Sequence, residues 1–508
     1  MRFCLHDLAL DAHNFTALES FNASVAVSQQ ARFENNTAQE KVTCLLAQCE
    51  VDFYPIYFDE LFKSFNNSNL AVAYSDFEYK SDYELADSHI RPPHWSPERF
   101  LSNDYLGPIV AIDLARFDSH LLSNGFSRTK LILECITQNL EVKLIEAVGY
   151  QVEALSLDLK VESRQIEIQD YLNNNRPGSE VLSAATPWLE ISNKKLAPDL
   201  ISVVIPTRGA KKSRRSNELI TDCIESLTQQ NLGASKVEVI VVFDTDCSSD
   251  YLEKVSQFET ESFLIKLIPY DPPFNFSAKC NLGASNSSGE VILFLNDDTL
   301  WRSPDSLLEL AGSAMIENVG AVGAKLYFEN GRLQHAGYVL AHGFVGHAYF
   351  RDLDGFGPFG DLIATHEVVG VTGACLAQRR SIWESLSGWD ISFPASFNDV
   401  DYCFRIRNQG LSILQVNSAR LFHYESITRN PTVRPEESNL IHAKWREAFG
   451  SEPYFRQAVV SPEVRYLRGE VIQAYTRYIQ TTYRHHGFKG VMKISINGIK
   501  KLLRMVFS

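Results

Sequence analysis

The chain has 508 residues, enough for roughly two or three domains of ordinary size. Apolar residues make up 45% and charged residues 22%, with 19 prolines and 27 glycines, which excludes a collagenous, low-complexity or largely disordered chain. Forty-eight basic against 62 acidic residues give a net charge of −14, so the chain as a whole is repelled by phosphate backbones and is no general nucleic-acid coat.

The first fifteen residues, MRFCLHDLALDAHNF, are interrupted by His6, Asp7, Asp11 and His13 and lack the apolar run of a secretory signal. Nine scattered cysteines, with no C-x-x-C pair, read as reduced thiols of a cytosolic protein. No stretch reaches the ~18 to 20 apolar residues of a membrane span. Residues 172–200 are rich in Asn, Pro, Ser and Gly and are expected to be a linker. From Ile201 the pattern changes. ISVVIP (201–206) is a β-branched apolar run suited to a buried parallel strand, and ELITDCIESLTQQ (218–230) places Leu219, Ile220, Cys223, Ile224 and Leu227 on one helical face. KVEVIVVFD (236–244), FLIKLIPYD (263–271) and GEVILFLNDD (289–298) are further strands, with a helical YLEKVSQF (251–258) between the first two. Alternating strands and helices predict a doubly wound α/β sheet, whose ligands bind outside the carboxyl ends of the strands.

Three polar clusters fall at those ends: Thr207-Arg208, Asp244-Thr245-Asp246 and Asn296-Asp297-Asp298. A single strand-end Asp is as readily a helix cap; three together suit a metal and a sugar-bearing ligand. Neither G-x-x-x-x-G-K-[ST] nor G-x-G-x-x-G follows any of the strands, which argues against a P-loop or Rossmann nucleotide site. The Asp-rich LFLNDDT can instead hold a diphosphate through Mg²⁺ or Mn²⁺, which prefer oxygen ligands. Near the end, residues 456–508 carry ten Lys and Arg against Glu463 and Glu470, and GVMKISINGIKKLLRMVFS is a basic amphipathic pattern suited to peripheral contact with an anionic membrane or to a helix packed on the main domain.

Eight segments in order, ISVVIPTRG, EVIVVFD, YDPPFNFSAKCNLGA, GEVILFLNDDT, VGAVGAKLYFENGRLQHAGYVL, VTGACLAQRRSIWESLSGWD, FNDVDYCFRIRNQG and LFHYES, resemble bacterial glycosyltransferase family 2, the inverting nucleotide-sugar transferases of the GT-A fold. Within it the chain is most similar to enzymes of O-antigen and related surface polysaccharides. The resemblance implies a mixed GT-A sheet over 201–450, a helical basic tail over 451–508, and a UDP- or dTDP-sugar donor. The acceptor it implies is a hydroxyl of a glycan or lipid-linked glycan at the cytoplasmic face of the membrane. It implies nucleotide-sugar contacts at Pro206, Thr207, Arg208, Asn281 and Asp297, the last placed for the ribose or the metal, with Asp244 accepting a pyrimidine N–H. Asp298 and His423 are the implied ligands of Mn²⁺ or Mg²⁺; Asn296 stands where a full DxD has its first Asp.

An inverting transfer also requires a carboxylate to take the acceptor proton. The resemblance assigns it to Asp399; Asp401, two residues on, is the alternative, as base or as a holder of a sugar hydroxyl. His335, Gly373, Trp389 and Asp390 are candidate substrate contacts. Residues 1–171 are similar to the second half of another such module, with CLLAQCEVDFYPIYFDELFKSF where a DxD would stand and only Asp52 retained. They are expected to form a degenerate, non-catalytic domain, in which Asp76 and Glu78 are read as structural. A rival reading is that the whole chain is a glycan-binding or assembly subunit that has kept the fold without turnover.

Overall fold

The computed structural model describes residues 2–3, 43–47, 51–66, 69–80, 89–118, 127–153, 161–182, 188–210, 218–246, 248–341, 343–424, 433–450 and 452–456. They divide into two units, Met1–Ser192 and Asn193–Ser508. Most of the basic segment 456–508, and with it the expected tail helix, lies outside the described residues. Among the described residues no helix is long and apolar enough to cross a membrane.

The first unit is built on a sheet of β1 (Arg2–Phe3), β2 (Thr43–Ala47), β3 (Val51–Phe53), β4 (Leu70–Lys80), β5 (His89–Ile90), β6 (Ile109–Asp113) and β7 (Glu141–Glu153). Helix α1 (Pro55–Asn66) joins β3 to β4, and α2 (Arg128–Thr137) precedes β7. Residues 172–200, expected as a linker, instead contain the end of a helix (Val161–Asn175), a hairpin of β8 (Glu180–Leu182) and β9 (Glu190–Ser192), and a 3₁₀ turn at Lys194–Leu196. Leu189, Ile191, Ser192 and Asn193 of this stretch are buried, and Asn193 is tied into the second unit by Glu309 Oε2 and Ser313 Oγ.

In the second unit β10 (Leu200–Thr207), β11 (Lys236–Asp244), β12 (Phe263–Tyr270) and β13 (Val291–Leu295) are parallel, in the order β12-β11-β10-β13. The strands that follow are β14 (Thr299–Trp301), β15 (Val319–Tyr327), β16 (Leu333–His335), β17 (Tyr338–Ala341), β18 (Phe344–His347), β19 (His366–Glu367), β20 (Cys375–Arg379) and β21 (Ser412–His423). The sheet continues β13-β20-β15-β21-β14, with β20 antiparallel to both neighbours, which makes it mixed as expected for GT-A. The period of two in the strands divides their side chains between two cores. Ile201, Val203 and Ile205 meet α3 (Leu219–Thr228) and α4 (Ser306–Ala314), whereas Val204, Ile240 and Val242 meet α5 (Phe276–Ser285) and α6 (Asn398–Asn408). Helices on both faces leave the carboxyl ends of β10, β11 and β13 to face the site.

The order of the first sheet repeats the second half of the other. β2-β6-β4-β7-β3 runs antiparallel, antiparallel, parallel, antiparallel, as does β13-β20-β15-β21-β14. The register also coincides: Ala47 faces Ile109 as Leu295 faces Cys375, and Val51 faces Val152 as Thr299 faces His423. Three residues separate β2 from β3, and three separate β13 from β14, so Gln48-Cys49-Glu50 correspond in sequence to Asn296-Asp297-Asp298. Asp52 lies within β3 at the position of Leu300, which corrects its reading as the remnant of a DxD; residues 48–50 themselves lie outside the described residues. Asp76 meets His89 and Glu78 meets Tyr54, in keeping with structural roles.

One buried carboxylate ties the parallel sheet to its neighbouring loop. Glu238 on β11 accepts from Ser202 Oγ at 2.6 Å, from Lys266 Nζ at 2.7 Å and from the backbone N–H groups of Ser288 and Gly289. Burial by itself raises its pKa, but these donors outweigh it and hold Glu238 at about 2 rather than 4.5. A lowered folded pKa contributes stability that is present above 4.5 and lost as pH falls toward about 2. Denaturant unfolding between those pH values should therefore show a steeper acid loss in the wild-type chain than in Glu238→Gln.

Candidate functional site

The two ends of the predicted constellation meet at one short segment, Thr372-Gly373-Ala374, just before β20. On one side the Asn296 N–H donates to the Ala374 carbonyl at 2.9 Å, which fixes the start of the Asn-Asp-Asp turn. On the other the Gly373 N–H donates to Asp399 Oδ2 at 2.9 Å. A Cβ on Gly373 would lie 3.2 Å from the Trp389 ring and 3.5 Å from Asp399 Cβ, so the close approach favours glycine.

Asp399 and Asp401 have opposite environments although both lie in the first turn of α6. Asp399 is half-buried and its partners converge on Oδ2: Tyr338 Oη at 2.8 Å, the Gly373 N–H, and Thr372 Oγ1 at 3.3 Å. Asp401 is fully buried, with Oδ2 receiving Arg405 Nε at 2.9 Å and Oδ1 receiving Trp445 Nε1 at 2.8 Å and Lys444 Nζ at 2.7 Å. Its carboxylate neutralises internal cations and is closed to an acceptor hydroxyl. This removes Asp401 as a base; two residues along a helix turn a side chain through about 200°, which sends the pair to different faces.

Asp298 Oδ1 lies 3.1 Å from His423 Nε2, and no hydrogen bond reaches that oxygen among the described residues. Gln334 Oε1 lies 2.8 Å from His423 Nδ1 and, as an acceptor, places the ring proton there. Asn296 Nδ2 lies 3.2 Å from the other ring nitrogen, Nε2, which thus stands between that amide and the Asp298 carboxylate. One imidazole with one carboxylate is a donor set that Mn²⁺ accepts. Among the described residues no group of three His, Cys, Asp or Glu side chains gathers as a metal site. Asp297 turns the other way and accepts from Thr207 Oγ1 at 2.5 Å; burial, with the adjacent Asp298 charge, pushes its carboxyl up to about 7.

At the end of β11, Asp244 Oδ1 receives Lys279 Nζ at 2.8 Å and Oδ2 receives Arg208 Nε at 3.0 Å. Lys279 is fully buried and also donates to the Thr207 carbonyl at 2.7 Å, so it links the ends of β10 and β11 from α5. Each Asp244 oxygen keeps a second lone pair, but its side chain is only 4% exposed and lies beside Arg208, which is 45% exposed.

Residues 202–386 match the model of the family described as "Glycosyl transferase family 2". The chain carries a family 2 glycosyltransferase domain. It is 29% identical over 413 residues to the O-antigen biosynthesis protein RfbC of Myxococcus xanthus, covering 76% of this chain and 31% of that protein. It is 30% identical over 427 residues to the uncharacterized protein y4gI of Sinorhizobium fredii (strain NBRC 101917 / NGR234), covering 78% and 45%. The chain thus spans less than half the length of these curated relatives. Among solved structures it is similar to GalNAc-T7 with UDP, GalNAc and Mn²⁺, at 14% identity and a TM-score of 0.41, covering 51% of this chain and 50% of that one.

Within the family 2 domain several expected contacts prove to be internal supports. His335 is fully buried, accepts the Thr372 N–H on Nε2 at 3.2 Å and lies 2.8 Å from His347 through Nδ1. Trp389 is 2% exposed and stacks on Tyr402 at 4.4 Å. Asn281 spends its amide on the backbone of Trp389 and on Trp383 Nε1. Pro206 is buried in β10, opposite Val242. Pro206, His335 and Trp389 are buried, and Asn281, half-buried, has its amide taken up by internal partners. Asp390 is held by Lys444 at 2.8 Å and by Ser392, which keep it down at about 2 despite its burial. Sequence reasoning did not single out Gln334, Tyr338, Thr372 and Lys279; all four stand in the motif segments, but their partners are distant in sequence.

Breaking a buried ion pair costs about 3–5 kcal/mol, and loss of Asp401 strips the largely buried Arg405 of its carboxylate, while Lys444, a third exposed, keeps Asp390. Asp401→Ala should lower the stability of the domain by that order in urea unfolding, whereas Asp399→Asn should change it by less than about 1 kcal/mol.

Proposed function

We propose that the chain is a metal-dependent inverting glycosyltransferase that moves a hexosyl or deoxyhexosyl group from a UDP- or dTDP-sugar to a hydroxyl of a growing surface glycan. The observation that carries this reading is the Thr372-Gly373-Ala374 segment, which holds the Asn-Asp-Asp turn by one bond and Asp399 by the next. A leaving-group site and a proton acceptor are thereby kept at a constant separation, which an in-line displacement requires. The RfbC relative, an O-antigen biosynthesis protein, supports a surface-glycan acceptor.

In this reading Asp298 and His423 hold a Mn²⁺ or Mg²⁺ ion, which supplies charge neutralisation to the diphosphate. Thr207, Arg208 and Asp244 border the nucleotide at the ends of β10 and β11, and Asp297, fixed by Thr207, serves the ribose side. Asp399 takes the proton of the acceptor hydroxyl as that oxygen attacks the anomeric carbon from the side opposite the diphosphate, which inverts the configuration there. The basic segment 456–508 would bring the chain to the cytoplasmic face of an anionic membrane, where a lipid-linked acceptor is available.

The first unit we read as non-catalytic. Counted back from β7 as Asp399 is from β21, its position is occupied by Arg128, and that of His423 by Val152. Arg128 Nη2 donates to Asp104 Oδ1 and to the Gly107 carbonyl, where Gly107 precedes β6 as Gly373 precedes β20. An arginine there can neither accept a proton nor generate a nucleophile.

A screen of UDP- and dTDP-sugars with Mn²⁺ should show one donor consumed by the wild-type chain. Asp399→Asn should cut its turnover by at least about 10²-fold, and Asp298→Ala should abolish the metal dependence. If no donor is consumed and calorimetry detects no metal-dependent binding of UDP or dTDP, the chain is a glycan-binding scaffold instead. Gln334→Leu, which frees the His423 ring, should weaken Mn²⁺ binding by about 10- to 100-fold in the same calorimetry.

A further inference from the structure

We propose that Tyr338 is a positioning residue for Asp399, and that Asp399 Oδ1 is the oxygen that receives the acceptor proton. This rests on the base role given to Asp399 above. The two carboxylate oxygens are unequal. Oδ2 takes three donors, from Tyr338, Gly373 and Thr372, which exhaust its lone pairs. Among the described residues Oδ1 takes only the Val400 N–H, at 2.9 Å, and keeps a lone pair for an incoming proton. The step balances on that atom: the acceptor O–H bond breaks and its proton goes to Oδ1. The acceptor oxygen forms the new bond to the anomeric carbon, and the bond from that carbon to the donor diphosphate breaks with its electrons on the departing oxygen.

Tyr338 is built to hold this arrangement. It begins the β17–β18 hairpin, its own N–H donates to the Gly370 carbonyl at 2.8 Å, and its side chain is 6% exposed within a cluster containing Phe393, Val400 and Phe404. His335 and His347 pack edge-on against its ring, with centroids at 5.0 and 5.1 Å. His335 must be neutral with its proton on Nδ1, because Nε2 accepts the Thr372 N–H; the His335–His347 pair therefore braces both the ring of Tyr338 and the turn that carries Gly373. Burial, with the Asp399 charge beside it, raises the phenol well above its ordinary pKa, so it remains a donor throughout the working range. Donors to the charged form of a carboxylate lower its proton affinity and fix its orientation.

The test is Tyr338→Phe in the full chain, read in two ways. In a carbonyl-region ¹³C NMR titration with labelled aspartate, the Asp399 signal, assigned by its loss in Asp399→Asn, should titrate at higher pH in Tyr338→Phe than in the wild type. This reading does not require turnover, so it stands apart from failure of the transferase assignment. With a donor that the wild type consumes, the acid limb of the pH–rate profile should move up by the same amount. A fall in kcat with both pH values unmoved would show that Tyr338 merely packs, and would overturn the proposal. If Tyr338→Phe melts early, Thr372→Val, which removes the longer bond, should give a smaller shift in the same direction; no shift there overturns it equally.

Discussion

The hydrogen bonds made by the peptide groups of residues 372–374 are the constraint on which the site depends. Backbone donors and acceptors are obligatory groups, and a segment that leaves the sheet must place them somewhere. Here one carbonyl goes to the Asn296 N–H and one N–H goes to Asp399, while the Thr372 N–H is received by His335. The strand β20 that follows is antiparallel between β13 and β15, so the segment lies beside the end of β13. Removing that antiparallel strand from the topology would separate the Asn-Asp-Asp turn from the helix that bears Asp399.

Charge burial around this segment is graded. Asp401 is fully buried and meets Arg405, Lys444 and Trp445; Asp244 is nearly as buried and meets Lys279 and Arg208. Each is satisfied by fixed donors, as a buried carboxylate must be. Asp399 differs in being half-buried, with Tyr338, Gly373 and Thr372 all donating to Oδ2.

The two units show how much of this architecture is scaffold. The first repeats the strand order and register of the second half of the family 2 domain, including the glycine before β6 and the helix before β7. It shares the alternation that builds the sheet, with Arg128 and Val152 at the positions of Asp399 and His423. Packing and catalysis are separable because they use opposite ends of the same elements: the apolar strand middles make the core, and the strand and helix ends make the site.

Much was legible in the sequence because it is local. The apolar runs at 201–206, 236–243 and 291–295 become buried strands, and the face of Leu219, Ile220, Cys223, Ile224 and Leu227 is buried as its spacing requires. The strand-end clusters at Thr207, Asp244 and Asn296–Asp298 follow from the same pattern, and the resemblance of the motifs around them drew attention to Asp399 and His423. What the sequence could not decide were roles set by partners far along the chain. Asp399 and Asp401 are two acids in one motif, and only Lys444 and Trp445 in a later helix show which of them is internal. His335 and Trp389 look like site residues in their motifs and prove to be walls, and residues 172–200 look like a linker although they hold a hairpin. Local periodicity determines which residues are inside; long-range hydrogen bonding, visible only once the chain is folded, determines which polar groups are left with capacity for a substrate.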